Sequence, residues 1–493
     1  MHRGTSLDSS VSTDIRVEGP KNFGSVANLC SATLGAGAVS LPFAFQKCGL
    51  VGGILLLSVA GIVTSYSIKL LAEAVSACGD GSSSYEQMSH NLCGARIGYL
   101  VEFSVVSFCF GVCVAYIVAV GDMLEDGIIK VFDGHLPEFV NREFAMFAFW
   151  LLFMLPLSCL KHIDSLKFSS VLGVISISFL VFVTVFKSIV SMSERDDGSA
   201  WDNDVVLWPE NFTDFIQACP VVMFAFSCQV NVPQIYNELG ENRSVASLMW
   251  AVRKAVSVCF IFYFLMGVMG YINFADKRTD ANILKNYCVQ DTHDPLVISA
   301  FACLSLAIVV AFPLNVFPCR ASLLNRWHQS DFLASAENID YKTPLLSDTD
   351  EDDTTNCTVT DNSEIFPESL RDDCSPEMRE EVTCMVDSEA VSSKDTMHYF
   401  FTLLISTSAL LVALVVPDIS VIFGLIGGTS AALLGFVMPP VFAIKLQLTR
   451  NDESKKYLAW SLIVGGIIAG SLSTSITIFQ LFDPVESDAI CES

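Results

Sequence analysis

Long apolar stretches separated by short polar connections dominate the chain. A membrane helix needs about 20 mostly apolar residues to cross about 30 Å of hydrocarbon, and eleven segments meet that requirement. These segments lie at about 23–46, 49–77, 97–121, 143–160, 167–190, 212–237, 248–274, 295–319, 397–416, 419–444 and 457–481. The pattern therefore predicts an all-α polytopic membrane protein with eleven transmembrane helices.

The first apolar segment is interrupted at its centre by the sequence ATLGAGAVSLP (32–42). Gly35 and Gly37 each cost about 1 kcal/mol relative to Ala in a helix, and Pro42 disfavours helix before it. Backbone groups released there cannot face lipid, because each unsatisfied group costs several kcal/mol. An irregular backbone at that depth must line a cavity or be buried in protein.

The sixth segment is interrupted as well, within CPVVMFAFSCQVNVPQIY (219–236), where Pro220 and Pro233 bracket a polar stretch. Its polar side chains are Ser227, Gln229 and Asn231. The two interrupted segments stand in corresponding places if helices 1–5 and 6–10 form two repeats, a pattern that marks transporter binding sites. The alternative is that the glycines only allow close helix packing. Two breaks at matched positions favour the transporter.

The chemistry of the two breaks indicates a zwitterionic ligand. A half-helix that restarts after Gly37 exposes free N–H groups and a positive dipole end, which suit a carboxylate. Carbonyl groups loosened around Phe224 to Cys228 suit an ammonium group. Together they predict an amino acid site, in which Phe224 and Phe226 shape or gate the side-chain pocket.

Composition narrows the functional class further. Of the 493 residues, 52% are hydrophobic and only 16% charged, and the mean hydropathy is +0.51, whereas soluble domains carry about 25% charged residues. This excludes a disordered protein, a nucleic-acid binder and an ordinary cytosolic enzyme. No P-loop, catalytic triad motif, dinucleotide fingerprint or metal-ligand spacing is present in the sequence. We therefore expect no enzymatic activity, no catalytic residue, no cofactor and no metal.

The net charge of −25 is concentrated in one stretch. Residues 328–396 contain 19 acidic and 4 basic residues and few aromatics, a composition that predicts a disordered loop between helices 8 and 9. Two interpretations stay open: the loop binds a cytoplasmic regulator, or it is a tolerated insertion.

Lysine and arginine in the connections predict the orientation. With a cytoplasmic N-terminus, 15 of these residues face inward and 8 outward. The predicted organisation then has five parts. They are a cytoplasmic N-terminal tail (1–22), helices 1–8 (23–327), the acidic cytoplasmic loop (328–396), helices 9–11 (397–481) and an extracytoplasmic C-terminal tail (482–493).

Four segments resemble the amino acid/auxin permease family. NLCSATLGAGAVSLPFAFQKCGL (28–50) is similar to its first helix, and MFAFSCQVNVPQIYNEL (223–239) to its sixth. AYIVAVGD (115–122) and AFPLNVFPCR (311–320) are similar to its third and eighth helices. The likeness covers 20–327 and 397–481.

This resemblance implies a five-plus-five inverted-repeat (LeuT-type) fold with helices 1 and 6 broken, and amino acid transport coupled to Na⁺ or H⁺. It assigns substrate binding to nine positions here. They are Thr33, Gly35, Ala36, Gly37, Phe224, Ala225, Phe226, Ser227 and Cys228.

The coupling ion is examined at four candidate residues, which are Asn28, Ser31, Ala311 and Glu102. In the sodium-coupled branch of the family, an Asn in the first helix and a Thr in the eighth help to hold Na⁺. Alignment on the motifs places Ser31 at the position of that Asn and Ala311 at the position of that Thr. Ala311 has no side-chain oxygen, so these departures favour H⁺ coupling or exchange over Na⁺ symport. Glu102, about one turn inside the third helix, is a candidate proton relay, and a water-facing helix-end carboxylate is the alternative.

The sequence thus predicts a secondary active amino acid transporter that works by alternating access, H⁺-coupled or of exchange type. Neutral substrates are slightly favoured, because the two breaks contain no charged residue. The alternatives are Na⁺ symport and an amino-acid-sensing receptor that signals through the acidic loop. Expected partners are the substrate, the coupling ion and the lipid bilayer of the plasma membrane or of a vacuole or lysosome, without nucleic acid.

Overall fold

A computed structural model describes most of the apolar part of the chain. The described residues are 23–79, 84–125, 141–160, 167–194, 205–239, 243–275, 279–287, 294–340, 376–416, 418–450 and 452–482. All regular elements in these ranges are helices, which confirms the all-α class.

The first half of the described chain contains eight α-helices. They are α1 (Phe23–Thr33), α2 (Leu41–Cys48), α3 (Leu50–Cys78), α4 (Tyr85–Cys93), α5 (Ala95–Leu124), α6 (Arg142–Phe149), α7 (Leu155–Ser158) and α8 (Lys167–Glu194). A 3₁₀ turn (Ala36–Ser40) precedes α2, and a π turn (Trp150–Met154) joins α6 to α7.

The second half contains eight more. They are α9 (Phe212–Ala225), α10 (Val232–Glu238), α11 (Val245–Asn273), α12 (Pro295–Asp340), α13 (Pro376–Val415), α14 (Ile419–Ile426), α15 (Met438–Lys445) and α16 (Glu453–Phe482). Two further 3₁₀ turns cover Gln229–Asn231 and Ile283–Tyr287. Two π turns, Gly427–Ala431 and Leu433–Val437, join α14 to α15.

The number of spans differs from the predicted eleven. Among the described residues, nine helices are long and apolar enough to cross a membrane, or ten if the bent pair at the first segment is one span. The predicted fourth span, 143–160, accounts for the difference. Its described helical part, Arg142–Ser158, contains the π turn and is shorter than each of the nine helices counted, so the number eleven is not confirmed.

Counterpart helices of the two halves pack against one another. The third helices, α5 and α12, make the most extensive contacts in the molecule, and the second helices, α3 and α11, also lie side by side. The first helices meet as well, since α1 contacts α10 and α2 contacts α9. The two broken spans therefore run antiparallel, with their breaks next to each other.

The outer surface of this bundle is apolar, as lipid contact requires. Large exposed hydrophobic side chains occur on most of the long helices; examples are Leu55, Ile62, Phe103, Phe182, Ile261, Leu411 and Phe479.

Two helices extend into the segment predicted to be disordered. α12 continues to Asp340 and α13 begins at Pro376, so the predicted boundaries at 328 and 396 do not match the helix ends. Pro376 occupies a helix start, where its missing N–H costs nothing, and the following residues, EMREE, include good helix formers. Residues 341–375, and the tails 1–22 and 483–493, lie outside the described residues.

Candidate functional site at the two helix breaks

The first span breaks at Leu34 and Gly35. α1 ends with the Leu34 N–H donating to the Cys30 carbonyl at 2.7 Å. Gly35 is extended (φ −145°, ψ −153°), and the 3₁₀ turn after it leads directly into α2, where Pro42 lies in the first turn. The break thus lies within the predicted interval 32–42, at its first glycine, and the α-helix resumes at Leu41 rather than directly after Gly37.

The second break lies at Phe226 to Cys228. α9 ends at Ala225, the 3₁₀ turn Gln229–Asn231 follows, and α10 begins with Pro233 in its first turn. α9 passes through Pro220 without ending, so only Pro233 of the two predicted bracketing prolines stands at the break.

Gly37 brings the two breaks into contact. A Cβ at this position would lie 3.0 Å from the Ala225 Cα and 3.3 Å from the Phe224 Cδ1, closer than a side chain tolerates. Toward the other end of the pair, the Asn28 Nδ2 donates to the Glu238 Oε2 at 3.2 Å. The predicted substrate residues on the first and sixth spans therefore lie together, with Gly37 as the point of closest approach.

Tyr263 of α11 joins the two breaks through one hydroxyl group. Its Oη lies 2.6 Å from the Thr33 carbonyl oxygen and 2.8 Å from the Ala225 carbonyl oxygen, the last residues of α1 and α9. The side chain is completely buried, and its ring packs edge-on against Phe226 at 5.2 Å between centroids. Because a helix C-terminus carries partial negative charge, the hydroxyl proton is shared between two electronegative ends.

Most of the carbonyl groups predicted to be free for an ammonium group have internal partners. Phe224 O accepts from Ser227 N at 3.0 Å, Phe226 O accepts from Cys228 N at 3.1 Å, and Ala225 O accepts from Tyr263. A carbonyl oxygen has two lone pairs, so these groups keep one acceptor site each. The carbonyls predicted to be loose around Phe224 to Cys228 therefore carry internal hydrogen bonds in this conformation, because the chain folds back on itself at the break.

An aromatic cluster covers the break in the sixth span. Phe224 stacks on Phe423 of α14 with ring centroids 4.4 Å apart, and Phe108 of α5 lies 5.8 Å from Phe224. Tyr116, also on α5, faces the other break, with its Oη 3.7 Å from the position of a Cβ on Gly35. Phe224 thus packs against both α5 and α14 at this break; its role in shaping a pocket stays a prediction.

The coupling candidates have different immediate neighbours in the described structure. Ser31 faces α8, with its Oγ 4.0 Å from a Cβ position on Gly173, and the Ala311 carbonyl accepts from the Asn315 Nδ2 at 3.2 Å. Glu102 pairs with His90 at 3.7 Å and Arg326 at 3.9 Å. At 1.5 Å per residue it lies about 21 Å along α5 from Tyr116, so it belongs to an ionic cluster at the helix end.

A second ionic cluster closes the opposite end of α5. Asp122 is 1% exposed and accepts from Arg142 at 3.0 Å and from Lys285 at 3.1 Å. Burial raises the pKa of Asp280 to about 6, although Lys285 opposes that shift. Segment 279–287 is tied to the first span, since the Thr279 N–H donates to the Gln46 Oε1 at 2.9 Å.

Sequence reasoning missed the residues that other helices contribute to the breaks. These residues are Phe108, Tyr116, Tyr263 and Phe423. Tyr116 lies in the segment AYIVAVGD, which resembles the family's third helix and could have drawn attention to it. Tyr263 and Phe423 lie in apolar runs without a motif that marks them.

Comparison with known proteins extends over almost the whole chain. The family profile described as transmembrane amino acid transporter protein matches residues 20–481. Vacuolar amino acid transporter 6 of Saccharomyces cerevisiae is 26% identical over 455 residues, which cover 90% of this chain and 95% of that relative. Sodium-coupled neutral amino acid transporter 7 of Rattus norvegicus is 25% identical over 460 residues, covering 92% and 85%.

A solved structure shares the fold. The crystal structure of MhsT in complex with L-phenylalanine superimposes with a TM-score of 0.53 at 13% sequence identity, covering 92% of this chain and 98% of that one. At this identity the likeness establishes the fold, which confirms the LeuT-type architecture expected from the sequence.

Proposed function

Because the chain belongs to the transmembrane amino acid transporter family, we propose that it is a secondary active transporter that moves amino acids by alternating access. The observation that carries the proposal is the direct contact of the two breaks at Gly37, between antiparallel spans of two repeats. Breaks at corresponding positions of two halves mark the binding site of such transporters.

The substrate contacts we propose follow from the backbone at the breaks. The N–H groups of Ala36 and Gly37 precede the first hydrogen bond of the 3₁₀ turn, from Ala38 N to Gly35 O at 3.1 Å, so they are available to an α-carboxylate. The carbonyls of the sixth span, from Phe224 to Cys228, would receive the α-ammonium group through their remaining lone pairs. Thr33 and Gly35 complete the first-span side of this site.

The contacts around the two breaks suggest which parts of the protein would move during alternating access. Tyr263 bonds the ends of α1 and α9, so these half-helices and α11 are expected to move as one body. The aromatic contacts of Phe224 with Phe423 and Phe108 cross to the neighbouring helices. We infer that this aromatic seam opens and closes while the Tyr263 bonds persist.

For the coupling ion we propose H⁺ or exchange. Ala311 offers no side-chain oxygen, and its carbonyl already accepts from Asn315, whereas a hard cation needs several oxygen ligands. One relative bears a vacuolar name and another a sodium-coupled name, so the relatives by themselves leave both couplings open. A cytoplasmic N-terminus and a vacuolar, lysosomal or plasma membrane location complete the proposal.

The test is uptake of a panel of labelled amino acids by purified protein in liposomes, at acidic and neutral external pH, with sodium or with choline. Uptake that rises at acidic pH and ignores sodium supports H⁺ coupling. Uptake that needs sodium refutes the inference from Ser31 and Ala311. Gly37→Ala, which crowds Ala225, is the variant expected to lose uptake, and Gly465→Ala on α16, whose Cβ would meet nothing within 4 Å, is its matched control.

A further inference from the structure

A buried arginine lies in α12 near one end of the bundle. Arg320 is only 4% exposed. At 1.5 Å per residue it lies about 10 Å from Trp327, where the membrane-spanning part of α12 ends. A charged residue within a membrane-spanning helix is costly and generally has a function. None of the steps in the proposed transport cycle uses this side chain.

Arg320 joins three helices through one nitrogen of its guanidinium group. Its Nη1 donates to the Ser158 carbonyl at the end of α7 at 3.2 Å, and to the Thr402 hydroxyl of α13 at 2.8 Å. The guanidinium carbon also lies 4.4 Å from the centre of the Phe317 ring. These contacts hold the side chain in place, but none of them is made with an anion.

The protein balances the charge of Arg320 only in part. The helical segment that ends at Ser158 carries about half a negative charge at its C-terminus, and among the described residues no carboxylate lies within ion-pairing distance of the arginine. A guanidinium group has five N–H donors, and its hydrogen bonds to the described residues involve Nη1 alone. The edge formed by Nε and Nη2 is the pair of parallel donors that binds carboxylate or phosphate groups.

The surroundings of Arg320 are typical of a membrane surface. Trp327 and Tyr399 are 43% and 46% exposed and lie toward the same ends of α12 and α13, as aromatic residues do at the level of lipid head groups. Trp327 packs edge-on against Phe401, with ring centroids 6.4 Å apart. Leu160, which follows the end of α7, is 41% exposed. Lipid therefore reaches the protein within a few residues of the buried guanidinium group.

We propose that Arg320 binds the phosphate group of an anionic phospholipid whose head group lies at this end of α7, α12 and α13. Basic pockets between membrane helices bind anionic head groups on the cytoplasmic side, and this end is cytoplasmic in the orientation that we propose. Two phosphate oxygens accept from Nε and Nη2 and supply the charge that the protein lacks. A zwitterionic lipid binds less well, because its ammonium group brings a second cation close to the arginine.

The experiment measures thermal unfolding of the purified protein in a nonionic detergent while phosphatidylglycerol is added. Phosphatidylcholine with the same acyl chains and inorganic phosphate are the comparison ligands. A ligand that binds only the folded protein raises its melting temperature. We expect phosphatidylglycerol to raise the melting temperature, and phosphatidylcholine and inorganic phosphate to leave it nearly unchanged.

Three variants separate this site from a general attraction of anionic lipid. In Arg320→Gln we expect the phosphatidylglycerol concentration at half of the shift to rise about tenfold or more, the effect of one or two charge-assisted hydrogen bonds. Arg320→Lys keeps the charge but lacks the pair of parallel donors, so its affinity should lie between those of the wild type and Arg320→Gln. Arg253→Gln removes an exposed arginine of α11 and is the matched control, with no change expected.

The inference is overturned if phosphatidylglycerol leaves the melting temperature unchanged, if both lipids raise it equally, or if Arg320→Gln responds as the wild type does. A loss of the same size in Arg253→Gln also refutes it, because it shows a general attraction of charge. A shift with inorganic phosphate that is lost in Arg320→Gln overturns the lipid in favour of a soluble phosphate. If Arg320→Gln does not fold, Arg320→Lys decides: a lower affinity for phosphatidylglycerol supports the inference, and an unchanged affinity refutes it.

Discussion

Removing the Tyr263 hydroxyl is the sharpest perturbation of the two breaks. Tyr263→Phe keeps the ring and its contact with Phe226 but deletes the hydroxyl that bonds the carbonyls of Thr33 and Ala225, at 2.6 and 2.8 Å. Both carbonyls stand at helix C-termini, so the lost proton had been shared by two partial negative charges.

The magnitude follows from the burial of these groups. A buried acceptor left without a donor costs about 1–3 kcal/mol, which corresponds to about 5- to 150-fold in an equilibrium constant. If the hydroxyl holds the breaks in the conformation that binds substrate, its removal destabilises that conformation by this amount. We therefore expect the substrate KM of Tyr263→Phe to rise by about tenfold, with the protein still folded.

The assay is liposome uptake over a range of substrate concentrations, together with thermal unfolding in detergent. Tyr271→Phe is the matched control, because Tyr271 lies on the same helix, is equally buried and bonds the backbone of Val206 away from the breaks. Both variants should lower the melting temperature. If both also leave KM unchanged, the hydroxyl of Tyr263 only stabilises the fold and our reasoning is refuted.

Three further outcomes are expected. Gly37→Ala should strongly reduce uptake while Gly465→Ala retains it, since only the first added Cβ meets a backbone atom, at 3.0 Å; equal activity of the two would contradict the contact we describe. Asp122→Ala leaves two cations without their buried partner and should destabilise the protein by about 3–5 kcal/mol, measured by unfolding in detergent. Burial raises the pKa of Asp280 from 3.8 to about 6, so its stabilising contribution is full below 3.8 and is lost as pH rises through about 6. Asp280→Asn should therefore stabilise segment 279–287 at neutral pH and flatten its pH dependence, measured by hydrogen exchange; an unchanged profile would show that this carboxyl does not titrate there.

The positions of both breaks could be predicted because their causes are local. Gly35 lowers helix propensity at its own position, and Pro42 and Pro233 start new helices in the first turn, where their missing N–H groups cost nothing. Pro220 shows the limit of that reasoning. It lies inside α9, and the Ile216 carbonyl, which the missing N–H of Pro220 leaves without its helical donor, accepts from the Ser473 hydroxyl of α16 at 3.3 Å. A neighbouring span thus supplies a hydrogen bond that the proline removes.

The fourth span and the ends of the acidic loop could not be placed from hydropathy. Hydropathy reports how apolar a segment is, and segment 143–160 is apolar enough, yet a π turn divides its helix. The boundary at 396 reflects a change in composition, whereas α13 begins at Pro376 because polar residues such as Glu also form helix. A change in polarity along a sequence therefore need not coincide with a helix end.

The engaged carbonyls at the second break show why site chemistry is harder to predict than site position. The sequence predicts loosened carbonyls around Phe224 to Cys228, but Tyr263 lies 38 residues beyond Ala225, a separation at which no local rule predicts its hydrogen bond. In the site that we propose, a substrate ammonium group would share these oxygen atoms with the internal donors. Its binding would then change the hydrogen bonds that hold the end of α9. A ligand shifts a conformational equilibrium only through such differential contacts, so we expect the proposed substrate contacts and the helix contacts to be coupled at this break.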